Sequence, residues 1–319
     1  MANGFTWHDG ERTIRFGRGA LATAGELLGE RYTLLTTPRA ETMAPGVVAA
    51  AAAVHHVRGG RVDEIAEELR ATVSGELLVA LGGGRVIDVT KALAAAAGPP
   101  VRAAAIPTTL SAAEMSHGHR HAAGADPGTP NVRPAIVIND PALSASQPEP
   151  ELAASAANSL AHAVEGAVTT GASPVPILAA HEAIRLTAEA YAGDEPDRDA
   201  LALAAVLSGY TIDHAGLGLH HVLCQTLVRV AGADHGPTNA AMLPHTIGAL
   251  RRRDPRTVDA ADLARDLARR AGAERLRDIG VTEDALEASV EAAAKRPQLA
   301  ITPPAADAGE IRELYRQAW

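Results

Sequence analysis

Along the first half of the chain the apolar residues come in short uninterrupted runs, and along the second half in long runs with a helical period. "RYTLLTT" (31–37), "ELLVALGGG" (76–84), "VRAAAIPTT" (101–109) and "RPAIVIND" (133–140) read as buried strands that stop at glycine, hydroxyl or other polar residues. "RVIDVTKALAAAAG" (85–98) reads as the helix that follows the second of them. Strands alternating with helices predict a mainly parallel sheet covered on both faces. From residue 148 onward the strand signals stop, and segments such as "PELAASAANSLAHAVEGAV" and "DRDALALAAVLSGYTIDHAG" are helical by period and propensity. The break falls in "NDPALSASQPEPE", where Pro, Ser and Asp cluster. The expected organisation is an α/β nucleotide-type domain over residues 1–147 and an all-helical domain over 148–319, with a ligand in the cleft between them.

Composition narrows this picture. The chain has 319 residues, 47% hydrophobic and 21% charged, as a folded globular protein requires. Aromatic residues make up only 3%, so the core is built from Ala, Leu, Val and Ile. A formal net charge of −9 argues against nucleic acid as a partner, because phosphate binding needs a basic surface. No apolar run reaches the roughly 18 residues of a membrane span. The N-terminus "MANGFTWHDGERTIRFG" lacks the layout of a signal peptide. The single cysteine, Cys224, rules out an internal disulfide and suits a reducing compartment. A cytoplasmic enzyme acting on a small molecule, without membrane contact, is the expectation.

Two constellations carry candidate chemistry. Gly82, Gly83 and Gly84 lie between a strand and a helix, where glycine lets backbone N–H groups approach a phosphate and the helix N-terminus favours its charge. A tight strand-to-helix turn accounts for them as well. Thr36, Thr37, Thr108 and Thr109 end neighbouring strands, at the edge where doubly wound sheets bind ligands. In the helical half, Asn158 and His162 are one helical turn apart, and His220, His221, His235 and His245 follow within one segment. "HGHRH" (117–121) reads as a solvated loop or a loose metal-binding tract. His220 and His245 read at least as well as packing residues.

"GGGRVIDVTKALA", "IPTTLSAAEMS", "VRPAIVINDPALS", "NSLAHAVEG", "GLGLHHVLCQTL" and "LPHTIGAL" occur in order and resemble successive motifs of the iron-containing alcohol dehydrogenase family, with its maleylacetate reductase branch the most similar. The resemblance spans nearly the whole chain. It implies a Rossmann-like dinucleotide-binding domain followed by a helical domain, the dehydroquinate synthase-like architecture. By the same resemblance Gly82, Gly83 and Gly84 hold the cofactor pyrophosphate, Asp88 and Lys91 match an acidic and a basic position, and Thr108, Thr109 and Ser111 line the nicotinamide side. Thr36, Thr37 and Pro38 touch the adenosine half. Arg85 departs from the family's small hydroxyl residue. Arg39 stands where a ribose-binding carboxylate would favour NAD(H); an Arg there accepts the 2′-phosphate of NADP(H), or is an ordinary surface residue.

The family's metal, Fe or Zn, is held by one Asp and three His, which map to Asn158, His162, His221 and His235. A neutral amide at 158 leaves a dication uncompensated, so a weak or empty site is expected. Some members of the maleylacetate reductase branch also carry Asn here. Gln225 replaces a family His one turn after His221 and cannot exchange a proton near neutral pH. Asn239 likewise replaces a His, which suggests an amide-rich pocket. The implied activity is hydride transfer between NAD(H) or NADP(H) and a small carbonyl, alcohol or enoyl substrate, with His162, His221 and His235 polarising the substrate oxygen through a metal or directly. Proton delivery then falls to one of these, to His214 or His220, or to a water chain. The rival readings are a non-catalytic partner subunit and a non-redox, metal-assisted enzyme on the same scaffold. A homodimer is implied by the resemblance alone.

Overall fold

The computed structural model describes residues 4–126 and 128–319; the first three residues of the N-terminal stretch considered for targeting lie outside them. The chain forms two compact units, Met1–Ser146 with Arg198–Leu203, and Gln147–Asp197 with Ala204–Trp319.

In the first unit the strands are β1 (Phe5–Asp9), β2 (Arg12–Phe16), β3 (Thr33–Thr36), β4 (Ala53–His56), β5 (Leu77–Gly82), β6 (Arg102–Pro107) and β7 (Ile136–Asn139). They form one sheet in the order β1-β2-β7-β6-β5-β3-β4. Every neighbouring pair is parallel except the β1–β2 hairpin. The helices are α1 (Ala24–Leu28), α2 (Pro38–Glu41), α3 (Pro45–Ala50), α4 (Val62–Leu69) and α5 (Gly84–Ala97). Alternate residues of the central strands enter two separate cores. Leu35, Leu78, Ala80, Ala103 and Ala105 pack with α4 and α5 on one face. Leu34, Val79, Leu81, Ala104 and Ile106 pack with α1, α2 and α3 on the other. Burial on both faces is why these strands read as continuous apolar runs. The alanines of β6 leave room for the alanine-rich face of α5.

From β3 the chain crosses outward to β4, then returns to the opposite side of β3 to form β5. This reversal is the topological switch of a doubly wound sheet, outside whose carboxyl strand ends ligands bind. Thr36 pairs in register with Leu81, and Gly82 with Pro107, so the ends of β3, β5 and β6 are level. The β1–β2 hairpin and β4 add to the four strands expected from the sequence. The hairpin signal was present, since Asp9-Gly10 separates alternating runs and Gly10 has φ of 61°.

The second unit holds α6 (Glu149–Gly166), α7 (Pro174–Ala190), most of α8 (Arg198–Ala215), α9 (Leu219–Val230), α10 (His235–Arg253), α11 (Ala261–Arg270), α12 (Glu283–Ala294) and α13 (Ala308–Ala318). The first turns of α8 group with the first unit, which a single break near residue 147 does not anticipate. There Arg198 Nη1 donates to the Ser144 carbonyl at 2.6 Å, and Arg18 Nε meets Asp199 Oδ2 at 2.7 Å. Within the second unit α6 is buried almost all round, packed on α7, α10 and α11. On α9, Leu219, Leu223 and Leu227 form a fully buried stripe, each worth roughly 1.5–3 kcal/mol. The hydroxyl of buried Tyr315 on α13 donates to the Leu223 carbonyl at 3.0 Å. Together these contacts fix the rotation of α9. Among the described residues no single helix is long and apolar enough to cross a membrane.

Candidate functional site

At the switch point the backbone does most of the building. Gly83 precedes α5 and no side chain caps that helix; its first turn contains no acidic residue, and Arg85 is exposed there. The first-turn N–H groups therefore have no side-chain acceptor, a ready anion site. The glycines are also required by close packing. A Cβ on Gly83 would lie 3.1 Å from Thr109 Cγ2, and one on Gly84 would lie 2.9 Å from Ser111 Cβ. Thr108 N donates to the Gly82 carbonyl at 3.0 Å, joining the loops after β5 and β6. At the end of β3, Thr36 is buried, Thr37 Oγ1 accepts from Ala40 N at 3.2 Å to cap α2, and Pro38 occupies its first turn. Exposed Arg39 donates to the carbonyl of Ser146. The glycine cradle fits a dinucleotide pyrophosphate.

The loop after β6 is held by two buried cations. Lys91, fully buried on α5, donates to the carbonyls of Ala113 at 3.0 Å, Ser116 at 3.1 Å and Gly118 at 2.8 Å, and pairs with Asp88 at 2.8 Å. Arg12 donates to the carbonyls of Glu114, Met115 and Pro134. Glu114, between them, is fully buried with neither carboxylate oxygen hydrogen-bonded. Burial pushes its pKa up to about 7. The "HGHRH" tract is more ordered than a solvated loop: His119 Nε2 accepts from Val132 N at 3.0 Å, and burial lowers its pKa to about 4.

In the second unit α6 contributes Asn158 and His162, α9 contributes His221 and Gln225, and His235 starts α10. The rings of His162 and His221 stack with centroids 4.7 Å apart and planes 13° from parallel. Both are buried, and burial first, then nearby histidines including His235, holds them neutral; the His221 pKa falls to about 3. Asn158 Oδ1, His162 Nδ1 and His221 Nε2 are buried with no hydrogen-bond partner. His235 is exposed.

His220 is a structural residue. Asn239 Nδ2 donates to the His235 carbonyl at 2.7 Å, which turns Asn239 Oδ1 toward His220 Nε2 at 2.9 Å. His220 is therefore protonated on Nε2, and its Nδ1 accepts from the Thr246 hydroxyl at 2.7 Å. This corrects the expectation for Asn239, which is fully buried and braces His220 instead of lining an amide-rich pocket. Two residues escaped the sequence reading. Arg296 Nη2 donates to Gln225 Oε1 at 3.4 Å, and Glu165, one turn beyond His162, sits 2.7 Å from His221 Nδ1. A glutamate inside the apolar run "AHAVEG" was the available signal for the second.

Comparison with known proteins identifies the family. Residues 11–141 match the family model for iron-containing alcohol dehydrogenases, and residues 152–258 match the C-terminal model of the same family. The chain belongs to the iron-containing alcohol dehydrogenase family. It is 35% identical over 202 residues to maleylacetate reductase 2 of Cupriavidus pinatubonensis, covering 60% of this chain and 55% of that relative. It is 30% identical over 282 residues to maleylacetate reductase 1 of Rhodococcus opacus, covering 81% and 77%. The solved maleylacetate reductase of Agrobacterium tumefaciens superposes with a TM-score of 0.81 at 27% identity, covering 100% of this chain and 99% of that one.

The family generally uses a nicotinamide cofactor and a divalent metal. The donor set here does not fit a tightly held dication. It offers an amide and imidazoles with no carboxylate to offset the ion's charge, and the His162 and His221 rings stack face to face with centroids 4.7 Å apart. Among the described residues no three His, Cys, Asp or Glu side chains are grouped to hold an ion.

Proposed function

We propose that this protein is an NAD(P)-dependent oxidoreductase acting on a small carbonyl, alcohol or enoyl substrate, maleylacetate reductase-like with a divergent pocket. The observation that carries this reading is the uncapped glycine turn of α5 at the switch point of the sheet. Gly83, Gly84 and the first-turn N–H groups of α5 would hold the pyrophosphate, with Thr108, Thr109 and Ser111 on the nicotinamide side and Arg39 toward the 2′-phosphate of NADP(H). The bound nicotinamide supplies or accepts the hydride. In the second unit the unpartnered atoms of Asn158, His162 and His221 would hydrogen-bond polar groups of the substrate, Asn158 Oδ1 as an acceptor, and Arg296 beside Gln225 suits an anionic substituent.

Fluorescence titration with NADH and NADPH tests the reading: saturable binding of either is expected, and binding of neither would sink it and favour a non-catalytic partner subunit. We further propose that the protein acts in the cytoplasm as a homodimer, which equilibrium sedimentation would read as twice the chain mass.

A further inference from the structure

Helix α5 meets the loop after β6 at two places on one face. Gly84, Asp88 and Lys91 follow one another at helical spacing along that face. At the first turn the contact is backbone-close, since a Cβ on Gly84 would lie 2.9 Å from Ser111 Cβ. About two turns further on, the Lys91 ammonium reaches the same loop and donates to the carbonyls of Ala113, Ser116 and Gly118. Glu114, buried in that loop, takes none of these donors. Lys91 is completely buried, and an apolar side chain of similar length would fill the space without the cost of burying a charge. What the charge adds over a methionine is the conformation of the loop.

Between the two contacts the backbone bends against its preference. Ala112 has φ of 60°, in the left-handed region that a Cβ disfavours, and it is buried. Such a residue persists where its surroundings over-determine it. Here Ser111 Oγ accepts from Ala113 N at 3.4 Å across the bend, and Met115 N donates to the Ala112 carbonyl at 3.1 Å. Lys91 holds the next carbonyl, that of Ala113, at 3.0 Å. Because Ser111 Oγ accepts within the loop, its O–H is left to donate outward. We propose that Lys91 is a positioning residue of the cradle: it holds the bend at Ala112 and so sets the Ser111 hydroxyl beside the first turn of α5, as a donor to the nicotinamide-side phosphate. The phosphate rests on the oxidoreductase reading above; the hold of Lys91 on the bend does not.

The test is a double-mutant cycle in the full chain, with Lys91→Met and Ser111→Ala read by fluorescence titration with NADPH and NADH. Each single substitution should weaken binding about 10-fold, the worth of one hydrogen bond to a charged group. The double variant should be no weaker than either single one, because Lys91 acts through Ser111. A merely structural lysine would weaken binding equally with and without the Ser111 hydroxyl, so losses that multiply to about 100-fold overturn the proposal. Unchanged binding in Lys91→Met overturns it as well. Hydrogen exchange of the nucleotide-free protein reads the bend itself: the amide protons of Ala113 and Met115 should speed up in Lys91→Met by a larger factor than those of β3, and an equal or smaller factor overturns the proposal. Ala112→Gly relieves the bend and leaves the ammonium in place. It should weaken binding a few-fold, but not when Ser111 is already Ala, and should speed exchange at Met115; failure of either overturns the proposal even if Lys91→Met does not fold. Binding of neither nucleotide to the wild type, with exchange as expected, would instead defeat only the oxidoreductase reading.

Discussion

Lys91 and His162 are both buried polar side chains on interior helices, and the two units treat them in opposite ways. Lys91 has three carbonyl acceptors and a carboxylate partner, all used to hold the backbone of the loop after β6. His162 leaves Nδ1 without a partner and lies face to face with a second neutral imidazole. One unit makes its candidate site from backbone and uses buried charge to hold that backbone still. The other makes its site from side chains and leaves their polar atoms unmatched, although an unpaired buried group costs roughly 1–3 kcal/mol. Unmatched polar atoms are what a ligand can satisfy, so the second unit gives up stability for recognition at its histidines, whereas in the first unit the unmatched carboxylate of Glu114 lies beside the cations that hold the loop after β6.

The sharpest way to break this comparison is a pair of substitutions read by urea unfolding. Lys91→Met should cost about 3–5 kcal/mol, because it strands buried carbonyls and Asp88. His162→Leu should stay within about 1 kcal/mol of wild type, or stabilise, since no hydrogen bond is lost. Equal losses would show that the units do not differ in this way.

The pH dependence separates them next. Glu114, with its folded pKa raised from 4.5 to about 7, is a penalty absent below pH 4.5 that grows as the pH rises to 7. Glu114→Gln should therefore gain about 3 kcal/mol at pH 8 and almost nothing at pH 4. In the second unit the buried His220 and His221, lowered from 6.5 to about 3, bind protons better when unfolded. Their stability contribution is complete above pH 6.5 and is lost as the pH falls toward 3. That acid limb should survive in Glu114→Gln, and its disappearance would place the cause in the first unit.

Smaller effects probe the cradle alone. Gly84→Ala must push Ser111 aside and should weaken NADPH binding about 10-fold, or 1.4 kcal/mol. Gly46→Ala, with open space around its Cβ, should leave the fluorescence titration unchanged. Arg39→Ala should narrow any preference for NADPH over NADH by a few-fold, measured as the ratio of the two dissociation constants, because an exposed charge contributes at most about 1 kcal/mol.

Much of the first unit was legible in advance because parallel strands buried on both faces leave unbroken apolar runs, and the turn at Gly82–Gly84 is written in residue type. The elements at or next to the sheet edges, β1, β2 and β4, are hard to read from sequence because their burial alternates or their runs are short. In the helical half the histidines could be placed on their helices and matched in order to a family, but their partners could not. His220 and His221 look identical as neighbours in the chain, yet one meets Asn239 and Thr246 and the other Glu165.

The alternation of strands and helices, the position of the glycine turn and the supply of imidazoles follow from local pattern, since period and residue type act over a few positions of one element. Which ring nitrogen carries a proton, whether the histidines converge on an ion, and which cation stands beside Gln225 depend on side chains from separate helices meeting at hydrogen-bond distance. Those meetings are set by how α6, α9, α10 and the segment at Arg296 pack, so only the tertiary structure decided them.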